Sequence, residues 1–448
     1  MDSMGLPLPG SLEELQRAKA PVTLSLVIIN TLVYLATSYE NMFLEVSDKW
    51  VGMFAFVPAY FAKPEHLYRL FTSMFLHANL AHIFFNMLFL YTFGKGVEAV
   101  LGSRRYLVLY LLSGILASFF HTAFLPLEGA SSAFVPALGA SGAISGVLGA
   151  YLLLFPGTRL SMCFFFFIIP ICFTMRASAY LIFWFATQIL QGLLPGASLG
   201  VAVFAHAGGF IGGIALLPLL VSSERLGLLR FYSSMFSFFR NIFFPERGIY
   251  RTGKYIVAFL IGLVAVVAVY SAIAAEIMGG ISKVLTFNVT HDNTSESESI
   301  IMQLSPGGKL DVTPIASSGV RVVVNRLKAL NVLYMVEEAG KTLSIQRDAR
   351  RPVNGVPVDI SLRASFSYDQ YGLLDSGTGF LTTDVLACDP YGYCSISGTN
   401  SYQFSVSTEE TIVGFKGIPI VELSIISFVA SVFAVQNVLR AERYAIIE

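Results

Sequence analysis

"LSMCFFFFIIPICFTM", residues 160–175, decides how the rest of the chain is threaded. A helix that crosses a bilayer needs roughly 17–25 apolar residues. This run is shorter, is interrupted by Pro170, and is bracketed by Arg159 and Arg176. Lys and Arg near span ends accumulate on the cytoplasmic side, so two arginines around a broken apolar stretch fit best when both stay at that face. The run is therefore expected to be an interfacial or re-entrant connection. Read as a ninth span, it would invert the helix that follows.

The flanking sequence is that of an integral membrane protein. Of 448 residues, 55% are hydrophobic and only 13% charged, with 38 Phe, and the mean hydropathy is +0.67; this is too apolar for a soluble chain of this size. Eight spans are predicted, near 21–39, 73–93, 106–124, 141–155, 177–194, 201–221, 255–278 and 418–439. The fourth is short, but the apolar loop before it, SSAFVPALGA, suits membrane depth. The first is read as retained, because no small-residue cleavage site follows it. Zero formal net charge and the lack of a basic tract or phosphate loop exclude nucleic acid as an expected partner.

Charge sets direction. Arg17 and Lys19, then Lys95, Arg104 and Arg105, the stretch from Arg225 to Lys254, and Arg440 with Arg443 all fall on one side under this count. The second, fourth and sixth helices then enter from the outer side. Their first turns carry His82 and Asn86, Ser141, and His206. Polar groups inside a bilayer are costly and usually face a protein interior or a watered cavity, so four at similar depth suggest one shared site.

A serine hydroxyl becomes a nucleophile when a neighbouring base takes its proton, and a neutral imidazole is the usual base. Ser141 and His206 supply that pair. Gly142, Gly146 and Gly149 on one helix and Gly209 and Gly213 on the other leave room for the two to approach closely. His82 and Asn86 lie at i and i+4, on one helix face, where with the Ser141 backbone N–H they can face an oxyanion. The outer halves of these helices hold no Asp or Glu, so a Ser-His dyad is expected, with packing to orient the imidazole. A lone serine beside glycine is most often a packing residue, and a lone intramembrane His or Asn often bonds a carbonyl or marks an ion path. Three such features at matched depth make independent packing roles a poor account. Arg69 either anchors at the outer interface or shapes the loop before the second helix. Glu98, at the inner side, is expected to be a structural acceptor.

Together, "YRLFTSMFLHANLAHIFFNMLFLYTFGKGVEAVLGSRR", "GASGAISGVLGAYLLLFP" and "AHAGGFIGG" resemble the rhomboid intramembrane serine proteases, over about residues 20–220. The form it resembles is prokaryotic, of archaeal type, with an added extracellular β domain. The resemblance implies a six-helix core that cleaves membrane-anchored, single-span proteins near the outer face. It implies Ser141 as nucleophile, His206 as general base, and His82 and Asn86 as oxyanion supports, with no metal and no organic cofactor. It also implies a partly embedded loop over residues 43–62, which Trp50, Phe54, Phe56 and Tyr60 punctuate. Tyr68-Arg69 stands where a Trp-Arg pair is common. A catalytically silent, client-binding relative is the alternative.

The fold expected is thus an α-helical polytopic membrane protein: a rhomboid-like six-helix core plus two further transmembrane helices, with an all-β, sandwich-like domain inserted between the seventh and eighth. The boundaries are a cytoplasmic N-terminal segment (1–20), the core (21–222), a basic cytoplasmic linker suited to an interfacial helix (223–254), the seventh helix (255–279), the extracellular β domain (280–416), the eighth helix (417–440) and a cytoplasmic tail (441–448). Alternating runs such as "KLDVTPIA", "VRVVVNR", "VLYMVEE" and "PVDISLRASFSY" read as strands. Sequons at Asn288 and Asn293, and a disulfide between Cys388 and Cys394, would suit an oxidising outer compartment. No chemistry is expected from this domain; it is read as a contact for substrates, or for an extracellular protein or surface layer. The place of the whole chain is a cell membrane, with both termini cytoplasmic.

Overall fold

The computed structural model describes residues 20–61, 63–166, 169–194, 202–230, 251–277, 280–292, 294–305, 308–353, 356–388, 394–415 and 418–446. The chain divides into two compact units, Met1–Ile277 with Gly417–Glu448, and Met278–Lys416.

The first unit is a polytopic helical membrane core. It contains α1 (Pro21–Ser38), the short α2 (Asp48–Phe54), α3 (Leu80–Leu101), α4 (Ser103–Ala123), α5 (Ser141–Leu154), the strands β1 (Arg159–Phe166) and β2 (Ile169–Arg176), α6 (Ala177–Leu193), α7 (Val203–Leu220) and α8 (Arg251–Ile277). Among the described residues six helices are long and apolar enough to cross a bilayer, those of α1, α3, α4, α7, α8 and the C-terminal Ile420–Leu439; Ser141–Leu154 is shorter. Exposed apolar side chains such as Leu32, Phe84, Phe85, Phe259, Val266 and Ile425 cover the outside of these helices, as a lipid-facing surface requires.

The decisive stretch is a β-hairpin. Its strands pair antiparallel from Arg159 opposite Arg176 to Phe166 opposite Ile169. The hairpin returns the chain to its starting point, where Ala177 N–H donates to Thr158 O at 2.7 Å. So α6 starts at the end where α5 stops, and the arginines stand side by side. The stretch is thus a connection that does not cross, as expected, and it is built of paired strands whose facing backbone groups bond to each other.

The second span differs from the expected 73–93. Residues 69–75 form short turns, and α3 starts at Leu80 because the Asn79 side chain accepts the His82 N–H at 2.9 Å, an N-cap. It runs on to Leu101, so Lys95 lies within its last two turns and only Gly102 separates it from α4. Glu98, 2% exposed, fastens this end. Its carboxylate accepts the N–H groups of Val22 (3.0 Å) and Thr23 (2.8 Å) at the start of α1, and the Ser103 hydroxyl (2.7 Å) at the start of α4.

The loop over residues 43–61 is held by Arg69 and Tyr68. Buried Arg69 donates to the carbonyls of Ala55 (3.0 Å) and Gly52 (2.7 Å), and Tyr68 Oη donates to Met53 O at 2.7 Å. Trp50 and Phe54 stack at 5.7 Å along α2. Tyr68 thus bonds this loop at the position where a Trp-Arg pair is common in the resembled family.

The second unit forms β3 (Ile281–His291), β4 (Thr294–Leu304), β5 (Leu310–Val312), the helix α9 (Ser318–Ala329), β6 (Thr342–Val353), β7 (Val356–Tyr368), β8 (Leu374–Cys388) and β9 (Cys394–Val413). The strands make one seven-stranded sheet, ordered β5-β4-β3-β9-β8-β7-β6, with every neighbouring pair antiparallel. This corrects the expected all-β sandwich: a helix, not a second sheet, covers the apolar face. "VRVVVNR" is helical because Val320, Val323, Val324 and Leu327 recur at i, i+3, i+4 and i+7 and bury against Phe287, Ile300, Ile360 and Phe366. That periodicity overrides the strand preference of its valines. "VLYMVEE" is a loop with a short 3₁₀ turn at Val336–Glu338. The Cys388 and Cys394 backbones face each other across β8 and β9; the expected disulfide rests on side chains outside the described residues, as does the Asn293 sequon.

After this unit, α10 (Ile420–Leu439) packs on α8, α7 and α4. Asn437 Nδ2 donates to Ile214 O at 3.2 Å and Ile446 N–H to Leu154 O at 2.9 Å. The N-terminal segment and residues 231–250 of the expected basic linker lie outside the described residues.

Candidate active site

α5 has 14 residues, about 21 Å of helix at 1.5 Å per residue, against a hydrocarbon core of roughly 30 Å. A helix this short ends inside a bilayer, and Ser141 is its first residue. The segment that precedes it is largely packed inside the unit, with Phe124, Leu125, Pro126, Ala133 and Phe134 buried. Ser141 and Gly142 keep partial exposure, whereas residues 143–154 are buried.

α5 and α7 pack backbone to backbone. A Cβ on Gly209 would collide with the Gly142 carbonyl, and one on Gly213 with the Gly146 carbonyl; Gly149 meets the Phe210 carbonyl in the same way. Small residues at this spacing allow membrane helices to touch along their main chains. α4 closes the third side, with Ala117 against Gly142, Ser113 against Gly146 and Phe120 against Gly208.

This packing brings Ser141 Oγ within 2.8 Å of His206 Nε2. On the far side of the imidazole, Nδ1 lies 2.8 Å from Gln188 Oε1 of α6, and the Trp184 ring lies 6.2 Å away, tilted by 33°. Neither α6 contact is anticipated by the motif reading. Its signal in the sequence is a polar glutamine within an apolar helix, one turn after a tryptophan.

His82 stands beside the approach to Ser141. Its Nδ1 accepts the Ala78 N–H at 3.3 Å, so the neutral ring carries its proton on Nε2. That edge faces Gly139: a Cβ there would come within 2.8 Å of Cε1 and 2.9 Å of Nε2. Gly139 also has φ +126°, so both its conformation and its space call for glycine. Asn86, 7% exposed, donates from Nδ2 to the His82 carbonyl at 2.9 Å. The structure thus joins Ser141 to His206 directly; His82 and Asn86 flank the pair without a hydrogen bond to Ser141 among the described residues. His77, fully buried, packs edge-on against His82 at 5.2 Å.

A nucleophile with its base, an N–H donor beside it and the free first-turn N–H groups of a helix make an arrangement able to carry out acyl transfer. The fold and site define a polytopic helical membrane core with a partly buried serine and histidine in hydrogen-bonding contact. Residues 64–223 match the Rhomboid domain family model, which supports the rhomboid family for this part of the chain. Over 66 residues the chain is 39% identical to "Rhomboid protease GluP" of Bacillus subtilis (strain 168), covering 15% of this chain and 13% of that protein. Over 89 residues it is 37% identical to "Rhomboid-like protein 14, mitochondrial" of Arabidopsis thaliana, covering 20% and 25%. Over 113 residues it is 32% identical to "Rhomboid protease GlpG" of Salmonella choleraesuis (strain SC-B67), covering 25% and 39%. The matched segments therefore span well under half the length of these relatives.

Proposed function

We propose that the chain is an intramembrane serine endopeptidase that hydrolyses single-span membrane proteins near the outer membrane face. The observation that carries this reading is the 2.8 Å contact between Ser141 Oγ and His206 Nε2 at the start of a short, glycine-packed helix. His206 takes the Ser141 proton as Oγ bonds to the scissile carbonyl carbon, and the negative oxygen gathers N–H donors from the Ser141 backbone, His82 and Asn86. The C–N bond then breaks, with the proton passing from His206 to the leaving amine. Water attacks the acyl-enzyme with the same base and releases the new carboxylate.

Charge supports the orientation. The end of the helical unit opposite Ser141 gathers the Arg159–Arg176 pair, Arg105 bonded to Leu220 O and Arg225 to Ala99 O, and Arg230 bonded to the carbonyls of Glu442 and Ala445. A basic end is a cytoplasmic end, which leaves Ser141 toward the outer leaflet. By the same count α8 carries the chain outward and α10 returns it, so residues 280–416 are extracellular and serve to recruit substrates or to contact a surface protein.

Labelling of the purified protein with a serine-directed fluorophosphonate tests the chemistry. Wild type is expected to react, and Ser141→Ala and His206→Ala to abolish the signal. An unlabelled but folded wild type would reject the enzyme in favour of a silent client-binding relative. Removal of residues 280–416 is expected to spare cleavage of a simple single-span substrate while changing which natural proteins are cut; a folded deletion variant with no activity at all would rule out a recruiting role.

A further inference from the structure

A base is useful to Ser141 only while His206 Nε2 lacks a proton. Neutral imidazole carries one N–H, so that proton must sit on Nδ1. Whatever faces Nδ1 therefore determines whether the base exists. Gln188 faces it, and its carboxamide offers two opposite instructions. The carbonyl end accepts Nδ1–H and leaves Nε2 free; the amide end would donate to Nδ1 and drive the proton onto Nε2, against Ser141. The structure presents the carbonyl, Oε1, at 2.8 Å.

Packing holds the carboxamide there. Gln188 is 8% exposed on α6, one turn beyond Trp184, whose ring covers the imidazole. Phe185 stacks on Phe210 of α7 at 4.5 Å and 19°, which locks α6 to the helix that bears His206. None of α5, α6 and α7 contains an acidic residue. The other titratable groups within electrostatic reach of His206 are His82 of α3 and His121 of α4, and neither is a carboxylate.

We infer that Gln188 is a positioning residue: a neutral third member that fixes the His206 tautomer from α6, in the place where water-exposed serine hydrolases use a carboxylate. A carboxylate stabilises the imidazolium and raises the proton affinity of the ring, but carries a heavy desolvation cost at membrane depth. A carboxamide supplies the orientation without the charge. This extends the serine endopeptidase reading and depends on it.

The test compares wild type, Gln188→Met and Gln188→Glu in detergent, with fluorophosphonate labelling of Ser141 and pH profiles for cleavage of a single-span substrate. Absence of labelling in folded wild type would overturn the endopeptidase reading and this assignment with it. With wild type active, Gln188→Met keeps the volume and loses the acceptor; kcat is expected to fall ~100-fold with KM little changed. Gln188→Glu restores an acceptor, and is expected to recover most of the rate while moving the acidic limb of the profile to higher pH by about one unit, since the imidazolium is now stabilised. A Gln188→Met enzyme with wild-type kcat, or a Gln188→Glu enzyme whose acidic limb stays in place, would refute the role. Should Gln188→Met fail to fold, the near-isosteric Gln188→Glu profile decides alone.

Discussion

Gly209 of α7 lies so close to the Gly142 carbonyl of α5 that a methyl group has no place between them. The contact sits one residue beyond Ser141 and three beyond His206, so it sets the distance across which the proton would pass. Gly209→Ala is expected to push the helices apart and lower substrate cleavage by about 100-fold, as a misplacement near 1 Å does, with a loss of stability of roughly 1–3 kcal/mol. Gly262→Ala on α8, where nothing lies within 4 Å, is the control and should leave both unchanged. Cleavage rate and thermal unfolding in detergent check the pair.

Glu98 ties α1 and α4 to the C-terminal end of α3 through Val22, Thr23 and Ser103. Glu98→Gln keeps the shape but weakens charge-assisted hydrogen bonds and turns part of the acceptor into a donor. The expected result is a loss of about 1–3 kcal/mol, seen as a lower unfolding temperature, with fluorophosphonate labelling retained below it. Loss of labelling in the still-folded variant would contradict a purely structural role.

Arg69 fills two loop carbonyls, those of Gly52 and Ala55, from a buried position. Arg69→Met leaves both without this donor; the Ala55 carbonyl is buried, and leaving it unsatisfied costs about 1–3 kcal/mol. Protease nicking within residues 43–62 is expected to accelerate before the helical core loosens. Equal rates of nicking in wild type and variant would show that the guanidinium does not hold the loop.

The β-rich unit is expected to loosen in acid at the start of α9. Burial draws the Glu298 carboxyl upward, but the Ala316 and Ser317 N–H groups that it accepts, each at 2.7 Å, outweigh this and hold it below its ordinary value. A depressed carboxyl contributes stability above its unfolded pKa of about 4.3, and that stability is lost as pH falls through the folded value. Hydrogen exchange of peptides covering 310–330, corrected for intrinsic rates, should show lower protection at pH 3 than at pH 5. Glu298→Gln should already be less protected at pH 5 and change little on acidification.

Much of the helical core was legible because the signals are local. Apolar length marks the spans, and the spacing of His82, Asn86, Ser141, His206 and the glycines places those residues on helix faces before any fold is known. The start of α3 was misjudged by this measure, since apolar content does not register the cap at Asn79. The inserted unit was misjudged for a related reason. Valine-rich 320–326 favours a strand by propensity, and only the position of its apolar residues against the sheet makes it a helix.

By itself the sequence determined that this chain lives in a membrane, where its long helices lie, and which polar residues those helices carry, because hydrophobic length and helical period are properties of neighbouring residues. Only the tertiary structure decided that 159–176 folds back as paired strands, that a helix rather than a second sheet covers the β-rich unit, and that Gln188 meets the imidazole of His206. Each of these rests on contact between segments distant along the chain or on the register of pairing, and neither composition nor periodicity encodes which distant surfaces will find one another.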